Sequence, residues 1–159
     1  MKVLDSSAII HSDNDFTEGG FVTTNSVLSE LISDTVKLVL EQALREGFIS
    51  VRDPKKENVE KVKKAAKETG DLYSLSATDL DILALSLETN GVLWSDDYAA
   101  QNVAKKMGIK YKPTSKEGIK NELTWTKVCP SCNKKYGLEK AVCDVCGATL
   151  KKKAAQSRK

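Results

Sequence analysis

The sequence predicts a three-layer α/β/α sandwich built on a central parallel sheet, followed by a small unit held together by cysteines. Three observations carry this reading. Short apolar runs that look like buried strands alternate with longer stretches of helical period. Glycines stand where three of those stretches stop, at positions 47, 70 and 108. All four cysteines fall between 129 and 146, as C-P-S-C, ten residues, C-D-V-C. Four strands separated by helices imply parallel pairing through right-handed crossovers, with helices on both faces of the sheet.

"KVLDS" is the first strand. A helix through "SVLSELIS" is expected next, capped by Asn25 or Ser26, and then a second through "TVKLVLEQALREG". "FISV" (48–51) is the second strand and ends before Asp53 and Pro54. From Pro54 to Thr69, Val59, Val62, Ala65 and Ala66 recur at spacings of three and four among lysines, an amphipathic helix with a narrow apolar stripe. "SLSATDLDILALSLETNG" offers Ser76 or Thr78 as a cap, Asp79 and Asp81 in the first turn, and Ile82, Leu83, Leu85 and Leu87 for the core. "GVLWS" is a strand, "DDYAAQNVAKKMG" a helix and "IKYKP" the last strand.

These elements make a first domain over 1–112. Residues 113–126 contain Pro113 and Gly118 and no clear strand, and read as a linker to a ribbon at 127–150. Residues 151–159 hold five basic and no acidic side chains and are expected to be a solvated basic tail. No run of about 18 apolar residues exists to span a bilayer, and the first residues lack the pattern of a signal peptide, so a cytoplasmic protein without membrane contact is expected.

Asp5 ends the first strand, and two hydroxyls, Ser6 and Ser7, follow it. In open parallel sheets ligands bind beyond the carboxyl ends of strands, where strand order reverses. Asp97 sits at that same edge, while Glu30 and Asp79 lie on helices that can turn toward it. Taken singly, each acid has an ordinary reading: strand end, helix cap, first-turn charge or exposed helix acid. Taken together, they form a set of oxygen ligands suited to Mg²⁺ or Mn²⁺, which would remove the cost of crowding like charges and activate a water against a phosphodiester. His11 is the single histidine, which excludes a histidine-pair ribonuclease mechanism. The D-x-D motif of aspartyl phosphatases is absent too, because position 7 is serine.

"VLDSSA", "TTNSVLSEL", "LSATDLDILALSLE" and "VLWSDDYAAQNVA" resemble the four acidic motifs of the PIN-domain family, metal-dependent ribonucleases with a three-layer α/β fold. The resemblance assigns Asp5, Glu30, Asp79 and Asp97 as catalytic metal ligands. Asp96 competes with Asp97 and Asp81 with Asp79, and Ser6 or Ser95 is expected to orient water or phosphate.

The cysteine spacing points to a tetrahedral metal centre, with Cys129, Cys132, Cys143 and Cys146 binding Zn²⁺. Iron fits the same ligands, but nothing else in the chain points to electron transfer. Asn133 and Gly147, one residue past each pair, are types that tolerate the left-handed conformation a metal knuckle wants. A closed four-cysteine site is structural. The chain's net charge of +3 divides into −4 over residues 1–123 and +7 over 124–159; with two negative charges on the metal centre, the second part stays near +5. Lys134, Lys135, Tyr136 and Lys140 are the expected RNA contacts on the ribbon, although Tyr136 can equally be its small core.

A PIN-like domain, a linker, a zinc ribbon and a basic end, in that order, resemble the compact archaeal form of a ribosome-assembly endonuclease family that matures the 3′ end of small-subunit rRNA. The resemblance implies an endoribonuclease acting on precursor rRNA, with a pre-ribosomal particle as partner. A homodimer stays open. The alternatives are a noncatalytic RNA-binding assembly factor and a toxin-type PIN ribonuclease acting on other RNAs.

Overall fold

The computed structural model describes residues 1–11, 16–114 and 123–156. Its first unit runs β1 (Lys2–Leu4), α1 (Ser6–His11), β2 (Phe21–Thr23), α2 (Asn25–Glu30), α3 (Asp34–Arg45), β3 (Ile49–Val51) and α4 (Lys56–Thr69). A 3₁₀ turn (Leu72–Ser74), α5 (Ala77–Thr89), β4 (Val92–Trp94), α6 (Tyr98–Lys106) and β5 (Tyr111–Lys112) complete it. The sheet is parallel throughout, in the order β3-β2-β1-β4-β5. From the central β1 the chain steps outward to β2 and β3, then returns to lay β4 and β5 on the other side. Strand order therefore reverses beside β1, and the carboxyl ends of β1 and β4 face one crevice.

The sheet has five strands where the sequence predicts four. The additional one, β2, is three buried residues long, and the Thr23 hydroxyl donates to the Leu4 carbonyl at 2.9 Å, tying β2 to β1 beyond the ladder. The α1 helix is likewise unexpected; it turns immediately after Asp5 and buries Ala8 and Ile9 completely. The cap of α2 is Thr24, whose hydroxyl accepts the Val27 N–H, rather than Asn25 or Ser26, and the helix stops at Glu30 because Leu31 is extended.

The other helices follow the sequence closely. Val62 and Ala66 of α4 are fully buried, and Gly70 ends the helix at φ 82°. Ser76 caps α5 in a reciprocal box with Asp79. Ile82, Leu83, Ala84 and Leu85 are all inaccessible to solvent, because α5 packs on β1 and β4 while α4 and α6 cover its outer side. No described helix is long and apolar enough to cross a membrane.

The second unit contains β6 (Leu123–Val128), β7 (Lys135–Tyr136) and β8 (Lys151–Gln156), an antiparallel sheet in the order β7-β6-β8. Two expectations are corrected here. Residues 123–126, expected in a linker without a strand, belong to β6; residues 151–156, expected as solvated tail, form β8. The two strands pair along their whole lengths, from Leu123↔Gln156 to Val128↔Lys151. Polar, lysine-rich composition argues against a strand in isolation, but a full cross-strand ladder supplies what composition lacks.

Gly70 is where the units meet. A β-carbon there would come within 2.7 Å of Leu138 Cδ1 and 2.9 Å of Trp125 Cβ, so the residue must be glycine both for its positive φ and for this close approach.

Candidate active site and cysteine centre

Asp5 follows β1 directly and is 4% exposed. Its N–H donates to the Trp94 carbonyl at 3.1 Å, a bond that joins the ends of β1 and β4. A buried carboxylate must be met by donors, and four converge on it. The Ser6 N–H and hydroxyl reach Oδ1 at 2.6 and 3.3 Å, and the hydroxyls of Ser7 and Ser95 reach Oδ2 at 3.2 and 2.6 Å. All of these donors are neutral, and among the described residues no lysine or arginine pairs with Asp5.

Ser95, fully buried after β4, holds the site together. While its hydroxyl donates to Asp5, the same oxygen accepts the Asp97 N–H at 3.1 Å, and its carbonyl accepts from the buried Gln101 amide at 2.8 Å. Asp97 in turn caps α6, accepting the Ala99 N–H at 2.7 Å. Ser7 makes a parallel link: it donates to Asp5 and accepts the Asp96 N–H at 3.1 Å.

Asp79 approaches from the first turn of α5. Its Oδ2 accepts both the N–H and the hydroxyl of Ser76 at 2.7 Å. Burial raises its carboxyl pKa above the ordinary 3.8; the Ser76 hydrogen bonds pull the other way, and the negative charges of Asp5 and Asp97 push it up further. Three acids from three segments thus share one electrostatic environment.

The rival residues have partners of their own. Asp96 is buried and accepts the Thr114 N–H and hydroxyl at 2.8 and 2.7 Å. Asp81 accepts the Ser26 hydroxyl at 3.0 Å. Glu30 is the last residue of α2 and is exposed, without a hydrogen bond or ion pair among the described residues. Ser7 is the contact that sequence reading left out; its signal was the pair of hydroxyls directly after a strand-ending acid.

The four cysteine sulfurs lie within 4.8 Å of one another. Cys129 and Cys146 are 3.3 Å apart and Cys132 and Cys143 3.5 Å, too long for disulfides at about 2.05 Å. A tetrahedral centre with metal–sulfur bonds of about 2.3 Å places its sulfurs about 3.8 Å apart, so the cluster fits one. Both knuckles are formed. The Asn133 N–H returns to the Cys129 carbonyl and the Gly147 N–H to that of Cys143, each at 3.0 Å, and both residues have positive φ, 57° and 73°, as their identities predicted.

Of the ribbon's expected RNA contacts, three form a local network. The Tyr136 hydroxyl lies within hydrogen-bond reach of the Asp144 carboxylate and 3.0 Å from the Cys143 sulfur; its polarity there, together with the Cys146 and Val145 backbone N–H groups, lowers the Cys143 thiol pKa to about 6 against the opposing effect of burial. Lys134 and Lys140 each lie 3.1 Å from the Asp144 carboxylate, with their ammonium groups 5.4 and 5.3 Å from the centre of the Tyr136 ring. Lys135 is exposed.

Residues 3–89 match the family model described as the PIN domain of ribonuclease. The Endoribonuclease Nob1 of Methanocaldococcus jannaschii is 41% identical over 161 residues, covering 99% of this chain and 80% of that protein. The chain belongs to the PIN-domain ribonucleases of the Nob1 family. It is an endoribonuclease, and the Asp5 cluster lies in its PIN domain. Two more distant Nob1 or PIN relatives span different shares. The Ribonuclease VapC1 of Thermoplasma acidophilum is 33% identical over 150 residues, 94% of this chain and 76% of that protein. The 20S-pre-rRNA D-site endonuclease nob1 of Schizosaccharomyces pombe is 34% identical over 115 residues, 71% of this chain but 29% of that longer protein.

Proposed function

We propose that this Nob1-family chain cuts precursor rRNA at the 3′ end of the small-subunit sequence, with Asp5, Asp79 and Asp97, joined by Glu30, holding Mg²⁺ or Mn²⁺. One observation carries the catalytic part: the buried Ser95 hydroxyl joins the Asp5 carboxylate to the Asp97 backbone at the switch point of the sheet, Asp79 lies within reach of both their charges, and no basic side chain among the described residues neutralises Asp5. Such an arrangement is stable and useful when a cation completes it. The substrate follows from the likeness to proteins named Nob1, one of them a 20S-pre-rRNA D-site endonuclease.

When bound, the cation supplies positive charge to a phosphodiester and acidity to an attacking water. The chain's own residues do the positioning. Ser95 fixes the spacing of Asp5 and Asp97, Ser76 holds Asp79 in its rotamer, and Ser6 and Ser7 orient the Asp5 carboxylate. The four cysteines hold Zn²⁺ as a structural centre. A cytoplasmic pre-ribosomal particle is the setting that goes with this reading, and whether two copies pair is an outcome for sizing experiments.

The VapC1 relative favours a second reading, a PIN ribonuclease acting on other RNAs, and mapping the cut distinguishes the two. On a precursor spanning the small-subunit 3′ end, the chain with Mg²⁺ or Mn²⁺ is expected to make one principal cut, leaving 5′-phosphate and 3′-hydroxyl ends. EDTA should stop it, and Asp5→Asn should abolish cleavage while retaining RNA binding. Full activity in Asp5→Asn, or a 2′,3′-cyclic phosphate product, refutes the proposal.

A further inference from the structure

Lys127 of β6 and Lys152 of β8 stand directly opposite each other in the antiparallel register. Like charges in that arrangement repel, and an anion between them would remove the penalty. Alternation along β6 puts Trp125 on the same face as Lys127, and the Lys152 ammonium lies 4.6 Å from the centre of the Trp125 ring. An ammonium carries three donors; Lys127 spends one on the Lys140 carbonyl, and Lys152 reaches the Ser74 hydroxyl at 3.5 Å.

That face looks onto the nuclease unit. Gly70, Tyr73, Lys127, Leu138, Glu139 and Lys152 line a groove of about 380 Å³ between the two units, and Lys67 continues its wall. Three lysines thus face one rim acid, Glu139. Tyr73 is 80% exposed on this groove, its ring unused by the core. The adjoining cleft contains Trp125, Ser74 and Lys152 on one side and Tyr98 and Ala99 on the other, along with Asp71, whose buried carboxylate is already held by the Asn102 amide at 2.5 Å. Tyr98 follows Asp97 directly, so this cleft borders the residue next to one acid of the centre.

We propose that this groove between ribbon and nuclease unit is the track by which single-stranded RNA reaches the Asp5, Asp79 and Asp97 centre, with Lys127 and Lys152 meeting phosphates and Tyr73 stacking a base. It rests on the nuclease reading of that centre. Lysines interleaved with an exposed aromatic match a polymer that alternates phosphate and flat base, and the Lys127–Lys152 repulsion is relieved by the same phosphates.

The test is fluorescence anisotropy of a labelled single-stranded RNA with the full chain and no added divalent cation, so that no cleavage enters the reading. Lys127→Ala and Lys152→Ala should each weaken binding about fivefold and lower the salt slope by about 0.7. Tyr73→Ala should weaken it about tenfold with the slope unchanged. Lys153→Ala is the control: it removes the same charge from the other face of β8, opposite Thr126, and should cost less than about twofold. The proposal is overturned if Lys153→Ala costs as much as Lys152→Ala, or if all four variants bind within about twofold of the parent. It is overturned equally if Lys152→Ala loses binding to poly-glutamate while RNA affinity holds, which would make the groove a protein-docking face. A chain that passes this test but cuts nothing faults the nuclease reading alone.

Discussion

The Ser95 hydroxyl lies 2.6 Å from the Asp5 carboxylate while its oxygen receives the Asp97 N–H, so one neutral side chain sets the distance between two acids that are 92 positions apart in sequence. This bond joins the ends of two neighbouring parallel strands, the most rigid elements available. On the proposed reading of the centre, Ser95 is a positioning residue rather than a catalytic one.

Ser95→Ala should therefore cost about 1–3 kcal/mol of stability, because the buried Asp5 carboxylate loses a donor and the half-buried Asp97 N–H loses its acceptor. Single-turnover cleavage should slow by about tenfold or more, with KM nearly unchanged. A melting curve and a kcat-against-KM split check both; a variant as fast as the parent would show that the acids find their spacing without it.

Asp96 and Asp97 are adjacent but face different partners. Asp97→Asn should suppress cleavage while leaving the fold intact, since asparagine can still cap α6. Asp96→Asn should retain most activity and lose stability instead, because only one of its two bonds to Thr114 survives as an acceptor contact. Cleavage rates measured beside melting temperatures for the two variants check the assignment, and the reverse pattern would exchange their roles.

Asp79 gives a pH dependence. Its raised carboxyl means that the folded chain keeps a proton the unfolded chain has already lost. Its contribution to stability is greatest below about pH 3.8, the unfolded value, and falls as pH rises through the raised folded value. A bound cation offsets that loss. Mn²⁺ should therefore raise the melting temperature more at about pH 8 than at about pH 4, close to the unfolded value, and Asp79→Asn should remove most of the difference. Scanning fluorimetry at both pH values checks this; equal shifts would contradict it.

The ribbon should depend on its metal for folding. Its buried core is Cys129, Cys143 and Leu150, with Tyr136 and Ala148 packed against them, too little apolar surface to fold a unit of this size alone. One Zn²⁺ per chain is expected by elemental analysis. A strong chelator should erase the amide signals of residues 129–147 in an NMR spectrum while those of β1 and β4 persist. Survival of the knuckle signals in metal-free protein would argue against a structural zinc.

What the sequence showed, and what it hid, follows from how local each feature is. The left-handed Asn133 and Gly147 and the cap of α5, narrowed to Ser76 or Thr78, are decided within four residues and were legible. Strand β2, no longer than β1, β3 or β4, runs straight into the Thr24 cap of α2 with no turn to separate them, and β8 is a lysine- and alanine-rich run whose extended form comes from its partner β6. At the site, Asp5 and Asp97 were legible as strand-end acids. The commitment of Asp96 to Thr114, and the bond from the Asp96 N–H to Ser7, depend on contacts between segments that no spacing rule connects.

Every bond that fixes Asp5 comes from a hydroxyl or a backbone amide, groups that keep their charge state across the working range of pH and do not exchange partners with dissolved ions. The frame of the centre is therefore indifferent to ionic strength. Lys127 and Lys152, in the proposed groove, would in contrast hold RNA through their charge. When potassium chloride slows this enzyme, the slowing should measure how RNA is held and leave the geometry of the cut unchanged.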